Sequence, residues 1–138
     1  MGIRADFRKR LTDDTTIAGL VGSRVYGVVA DFKNEVPDHV VFQFTGWVGG
    51  TQLSGNSGVS RREVTVTCRS RDLITAEQIA DAVKERCHGF TGTLGTSTNV
   101  AQVSLVGEVD GFDPPVNPEG SGDGQYAIQQ TYQMIVLE

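Results

Sequence analysis

Over residues 61–70 the chain alternates with a period of two: Val64, Val66 and Cys68 fall on one side, and Glu63, Thr65, Thr67 and Arg69 on the other. Alternate residues of a strand share a face, so this run is a strand with one face on a core and the other on water or a partner. A few residues later the period changes. Across residues 75–88, Ala76, Ile79, Ala80, Val83 and Cys87 make an apolar stripe at helical spacing. Thr75 and Gln78 are spaced as a capping box, and Gly89 stands where a left-handed residue ends a helix. A strand with one wet face, followed at once by an amphipathic helix, builds an antiparallel sheet carrying helices on its apolar side.

The rest of the chain extends this pattern. Ile3, Phe7 and Leu11 recur every fourth residue and predict an N-terminal helix. Thr15 or Thr16 caps a short second helical turn through Ile17, Leu20 and Val21, closed by Gly22. Residues 25–29 read as a short extended piece, and residues 39–48, after Pro37, as a strand rich in β-branched and aromatic side chains. Residues 49–58 hold four glycines and predict a mobile hairpin loop. Residues 100–106 and 126–137 add two strands, separated by a loop over residues 111–124 that contains three prolines. The expected fold is α+β: a mainly antiparallel sheet of four to five strands, two main helices on one face, and long hairpin loops at about 49–60 and 111–124.

At 138 residues the chain is expected to form one domain over residues 1–138. Its formal charge of −5 opposes electrostatic capture of nucleic acid. All 12 basic residues lie within residues 1–86, whereas residues 87–138 hold Glu108, Asp110, Asp113, Glu119, Asp123 and Glu138 and no Lys or Arg. The acidic part is either a solubilising face or one that repels negative and attracts basic partners. No apolar run approaches the roughly 18 residues of a membrane span, and the N-terminus lacks the apolar stretch of a signal peptide.

Catalytic patterns are scarce. Cys87 and His88 are adjacent, but Cys87 belongs to the apolar stripe and reads as a buried thiol, as does Cys68. Neither cysteine has the neighbours that metal ligation requires, and together they fit a reducing compartment. His39 reads as a solvated residue at a strand edge. The glycine-rich run at 49–58 contains no phosphate-loop lysine and opens no helix. Asp13–Asp14 and the pair Glu108 and Asp110 lack a histidine or ligand cluster beside them. No catalytic residue, cofactor or metal is expected. Arg61, Arg62, Arg69 and Arg71 offer either a basic patch or a solvated stripe.

Taken in order, these segments resemble one family, the tail terminator (tail completion, tail-to-head joining) proteins of long-tailed phages and gene transfer agents. Leu20-Val21-Gly22-Ser23-Arg24-Val25-Tyr26 looks like the family's Leu-Val-Gly-x-Arg-Val-Tyr element. Pro37 with Val40-Val41-Phe42-Gln43 resembles its first strand, and Val64-Thr65-Val66-Thr67-Cys68 its second. Ala76 to Val83 is similar to its helix, and Phe90 to Gly95 and Tyr132 to Val136 to its closing elements. The resemblance implies a structural protein of the virion, made in the bacterial host and placed at the head–tail junction. It implies a hexameric ring that stops tube polymerisation and meets two partners, the tail tube protein and the head-closure or neck protein. DNA would pass through without specific binding. On this reading Arg61, Arg62, Arg69, Arg71, Leu53 and Val59 belong to the oligomer or partner interface. Glu108 and Asp110 are then candidates for an acidic channel surface that does not retain DNA. A head-closure stopper, a tail tube subunit and, from another class, a small enzyme with a reactive thiol are the competing readings.

Overall fold

A computed structural model describes residues 2–28, 37–52, 55–113 and 124–137, with only the backbone described for 47–52, 55–58 and 113. The elements run α1 (Ile3–Thr12), α2 (Thr15–Val21), β1 (Val25–Gly27), β2 (His39–Gln52), β3 (Gly55–Ser70), α3 (Leu73–Cys87), β4 (Gly92–Leu94), β5 (Thr98–Asp113) and β6 (Gln125–Leu137). One sheet has the order β1-β2-β3-β6-β5-β4. All its pairings are antiparallel except that of β1 with β2.

The expected α+β class stands, with corrections of detail. Six strands replace the four to five expected, because the short segments flanking Tyr26 and Thr93 join the sheet as β1 and β4. Most of the loop expected over residues 49–58 is strand. Gly49 faces Ser60, Thr51 faces Asn56 and Gln52 faces Gly55, so a continuing ladder satisfies backbone groups whose glycines would otherwise favour disorder. Leu53 lies outside the described residues. Residues 111–113 likewise belong to β5, whose pairing runs to Asp113 opposite Gln125. The remainder of the 111–124 loop up to residue 123 is outside the description.

The core lies on one face of the sheet. Val40, Phe42, Val64, Val66, Cys68, Ile128, Tyr132 and Met134 are buried from the strands, and Ala76, Ile79, Ala80, Val83 and Cys87 from α3. Each such Val or Ile withdrawn from water stabilises the fold by roughly 1.5–3 kcal/mol. Phe7 and Leu11 of α1 are fully buried, and the Phe7 ring meets Phe42 edge-on at 5.3 Å. The opposite face, carrying Thr65, Thr67, Gln129, Thr131 and Gln133, has no helix over it among the described residues.

Local chemistry sets the helix ends. The α2 cap is Asp14, not Thr15 or Thr16: its Oδ2 accepts the Ile17 amide at 3.0 Å. α3 begins at Leu73, two residues before the expected capping box, with Asp72 at its cap position, and Thr75 Oγ1 donates to Asp72 Oδ2 at 3.0 Å. Gly22 and Gly89 take φ of +62° and +81°, as their place after a helix requires. At the far ends of α1 and α3 two arginines bond reciprocally: Arg10 Nη2 donates to the Arg86 carbonyl at 3.0 Å and Arg86 Nε to that of Arg10 at 2.9 Å. Cations at helix C-termini are favoured by the helix dipole, and the Arg10 guanidinium also lies 3.7 Å from the Phe90 ring centroid.

Candidate assembly surface

The basic residues expected at an interface divide into two groups. Arg61 and Arg62 lie midway along β3, opposite Val48 and Trp47 of β2. Arg69 lies eight residues further along, opposite His39, which at about 3.3 Å per residue is about 26 Å away. Arg71 is exposed between β3 and α3. Arg61 and Arg69 share the uncovered face, whereas Arg62 is half-buried on the helix side and its Nε is buried without a hydrogen-bond partner. Val59 is exposed at the start of the described β3 side chains, facing Leu137.

Glu108 and Asp110 lie together, two residues apart on β5 and both exposed. Their cross-strand partners are Gln130 and Ile128, so both project toward the helix side of the sheet. Glu108 is also tied to the interior. Gln130, fully buried, donates from Nε2 to Glu108 Oε2 and to the Ala80 carbonyl of α3, each at 3.0 Å. Its Oε1 accepts the Tyr132 hydroxyl at 2.8 Å. This chain satisfies every polar end of a buried amide and couples α3 to β5 and β6.

A second buried polar group, Asp6, was not singled out by the sequence patterns. It has no accessible surface, yet its carboxylate accepts from the Thr96 amide (3.2 Å) and the hydroxyls of Thr96 (3.1 Å), Ser97 (2.8 Å) and Thr98 (2.6 Å). Burial pushes its pKa up, but the hydroxyls of Thr98 and Ser97 and the Thr96 donors outweigh burial and hold it well below the carboxylate range. The turn that makes this cradle includes Gly95 at φ +60°, packed directly on the Asp6 backbone.

His39 is buried, contrary to the solvated position expected. The reason is topological: β1 adds outside β2, so His39 begins an interior strand, and its Nδ1 lies 2.8 Å from the Pro37 carbonyl. Burial pushes its pKa down, with Arg69 and Arg24 acting in the same direction against the Pro37 hydrogen bond and Asp38. His88 is exposed, whereas Cys87 is buried, and the imidazole accepts the Leu105 amide on Nδ1 at 2.9 Å.

Both thiols are buried. Desolvation pushes the Cys87 pKa up to about 12, against Arg10 and Arg86, and raises that of Cys68 further. Neither is a thiolate near neutrality, so neither has the activation a nucleophile needs. Among the described residues no group of three or more His, Cys, Asp or Glu could hold a metal ion, and no helix is long and apolar enough to cross a membrane.

The chain is thus a two-layer α+β protein whose long strands, among the described residues, leave one polar sheet face without a helix over it. No protein-family model matches it, and no curated protein sequence does. Among solved structures it is similar to a chain from the virion of a native gene transfer agent particle, with a TM-score of 0.73 and 14% identity. The match covers 99% of this chain and 95% of that one, so the two share a fold from end to end.

Proposed function

We propose that this chain is a structural, non-enzymatic component of a phage-type virion, and more specifically a tail terminator. The observation that carries the proposal is the fold shared over nearly its whole length with a chain of a gene transfer agent virion. The motif order Leu20 to Tyr26, Pro37 to Gln43, Val64 to Cys68 and Tyr132 to Val136 supports the finer reading. In that role copies of the chain form a ring at the head–tail junction, hexameric as the family resemblance implies. One side of the ring meets the tail tube protein and the other the head-closure protein.

Interface contacts are assigned to Arg61, Arg62, Arg69, Arg71, Leu53 and Val59. The two arginine groups, one midway along β3 and one at its C-terminal end, suit contacts with two different neighbours. Glu108 and Asp110 are assigned to an acidic surface that passing DNA does not adhere to, because phosphate contacts by cations dominate DNA affinity. Charge reversal at Asp110 that left DNA passage and assembly unchanged would remove that assignment.

Electron microscopy of lysates lacking this gene tests the proposal. Full heads separated from tails, some overlong, are expected. Emptied heads beside tails of normal length would instead identify a head-closure stopper, and absence of tubes a tube subunit. Intact infectious particles would refute a structural role.

A further inference from the structure

We infer that the outer edge of β5 is a docking site for a second copy of this chain, which adds its β2–β3 hairpin to the sheet as a further strand. This deepens the virion-assembly reading by naming the strands that join subunits.

Among the described residues, the outer side of β5 is occupied only along its first half. β4 pairs with Thr98–Val100. Next, Gly89 donates its amide to the Val103 carbonyl at 2.7 Å, and the Phe90 carbonyl accepts the Val103 amide at 3.0 Å. The imidazole of His88 then takes the Leu105 amide. Past that point, among the described residues, none bonds to the outer backbone edge as far as Phe112.

The phase of the free groups follows from the register. Val103 and Leu105 direct their backbone groups outward and face Met134 and Tyr132. After the bulge at Val106 the same parity on β6 continues through Gln130, Ile128 and Tyr126, which face Glu108, Asp110 and Phe112. In an antiparallel ladder inward and outward pairs alternate, so Glu108, Asp110 and Phe112 present unbonded amides and carbonyls outward. Apolar side chains accompany them: Val106, Val109 and Phe112 are 57%, 64% and 52% exposed. An open edge flanked by exposed apolar side chains on both faces is a template for strand addition.

Charge and polarity select the occupant. Residues 106–113 carry Glu108, Asp110 and Asp113 and no base, whereas residues 43–62 of the β2–β3 hairpin carry Arg61 and Arg62 and no acid. Among the described residues, the outer side of β2 pairs with β1 at Val40–Phe42 and with nothing beyond. Three antiparallel steps separate β2 from β5, so the two run in opposite directions. A neighbour's β2 laid against β5 in a continuing sheet is therefore antiparallel, the stronger pairing. Because the joined edges differ, the contact is head-to-tail and generates rings or filaments rather than a twofold dimer.

The test is sedimentation velocity of the full-length chain over rising concentration, with amide exchange read before and after assembly. Asp110→Pro removes an outward amide while leaving the β5–β6 ladder intact. Val109→Lys places a charge on the edge without touching the backbone and guards against a folding defect in the first variant. Wild type is expected to form oligomers in which the Glu108, Asp110 and Phe112 amides gain protection, and each variant to weaken self-association by about tenfold or more. A wild type that stays monomeric at its highest soluble concentration overturns the inference, as do oligomers whose edge amides exchange as in the monomer. The virion reading is decided separately by the gene-deletion lysate. Normal β5 pairing with unaffected particles would remove that reading and leave this one standing.

Discussion

Replacing Asp6 by alanine deletes the acceptor of four hydrogen bonds at once, all from the turn between β4 and β5. Hydrogen bonds to a charged group contribute about 1.5–3 kcal/mol each, but the sum is not the cost. Thr96 and Ser97 are exposed and their hydroxyls turn to water in the variant, and a buried charge disappears with its desolvation penalty. The net loss is about 2–4 kcal/mol. For 138 residues the unfolding entropy is about 0.3 kcal/mol/K, so Tm falls by about 7–14 °C. The pH dependence identifies the cause. The folded-state carboxyl titrates below its unfolded value of about 3.9, so its contribution is complete above that pH and disappears as pH falls toward the folded value. Urea titrations of wild type and Asp6→Ala are expected to differ fully at neutral pH and to converge below about pH 4. A difference under about 0.5 kcal/mol at neutral pH, or one that stays constant into acid, would refute the reasoning.

Gly95→Ala drives a Cβ to 2.6 Å from the Asp6 Cα at a φ of +60°, and its loss of more than about 2 kcal/mol should appear in the same urea titrations. Gln130→Met strips the Tyr132 hydroxyl and the Ala80 carbonyl of a partner and costs about 1–3 kcal/mol; adding Tyr132→Phe should cost less than the sum of the two single changes. His39, whose folded pKa is depressed, supports stability above about pH 6.5 and withdraws that support as pH falls, so His39→Gln should flatten the thermal-stability profile there. Native alkylation of Cys68 and Cys87 is expected to be slow and to accelerate only on unfolding, as mass spectrometry would record.

The features legible in the sequence are those with a local period. The alternation at Val64, Val66 and Cys68 and the stripe from Ala76 to Cys87 both carry over into buried faces. Misreadings arose where long-range pairing overrode local preference. Gly49 and Gly50 look like a loop until Ser60 and its neighbours supply a ladder, and His39 looks solvated until β1 arrives on its outer side. Gln130 left a trace, since it shares the parity of Ile128, Tyr132 and Met134 and so breaks an apolar row. Asp6 left none, because its donors lie some 90 residues away. Of the candidate interface, the acids of β5 were visible, but the open edge that bears them emerges only from the sheet order.

That order has a consequence for how the protein is made. β6 follows every other described strand in the chain, yet it lies between β3 and β5 and pairs along the length of both. A growing chain therefore exposes the flanks of two unfinished half-sheets until β6 leaves the ribosome. Chains released early lack the strip that joins the halves, and their exposed flanks mark them for chaperones or proteases. Only a chain whose translation has reached β6 can close this sheet.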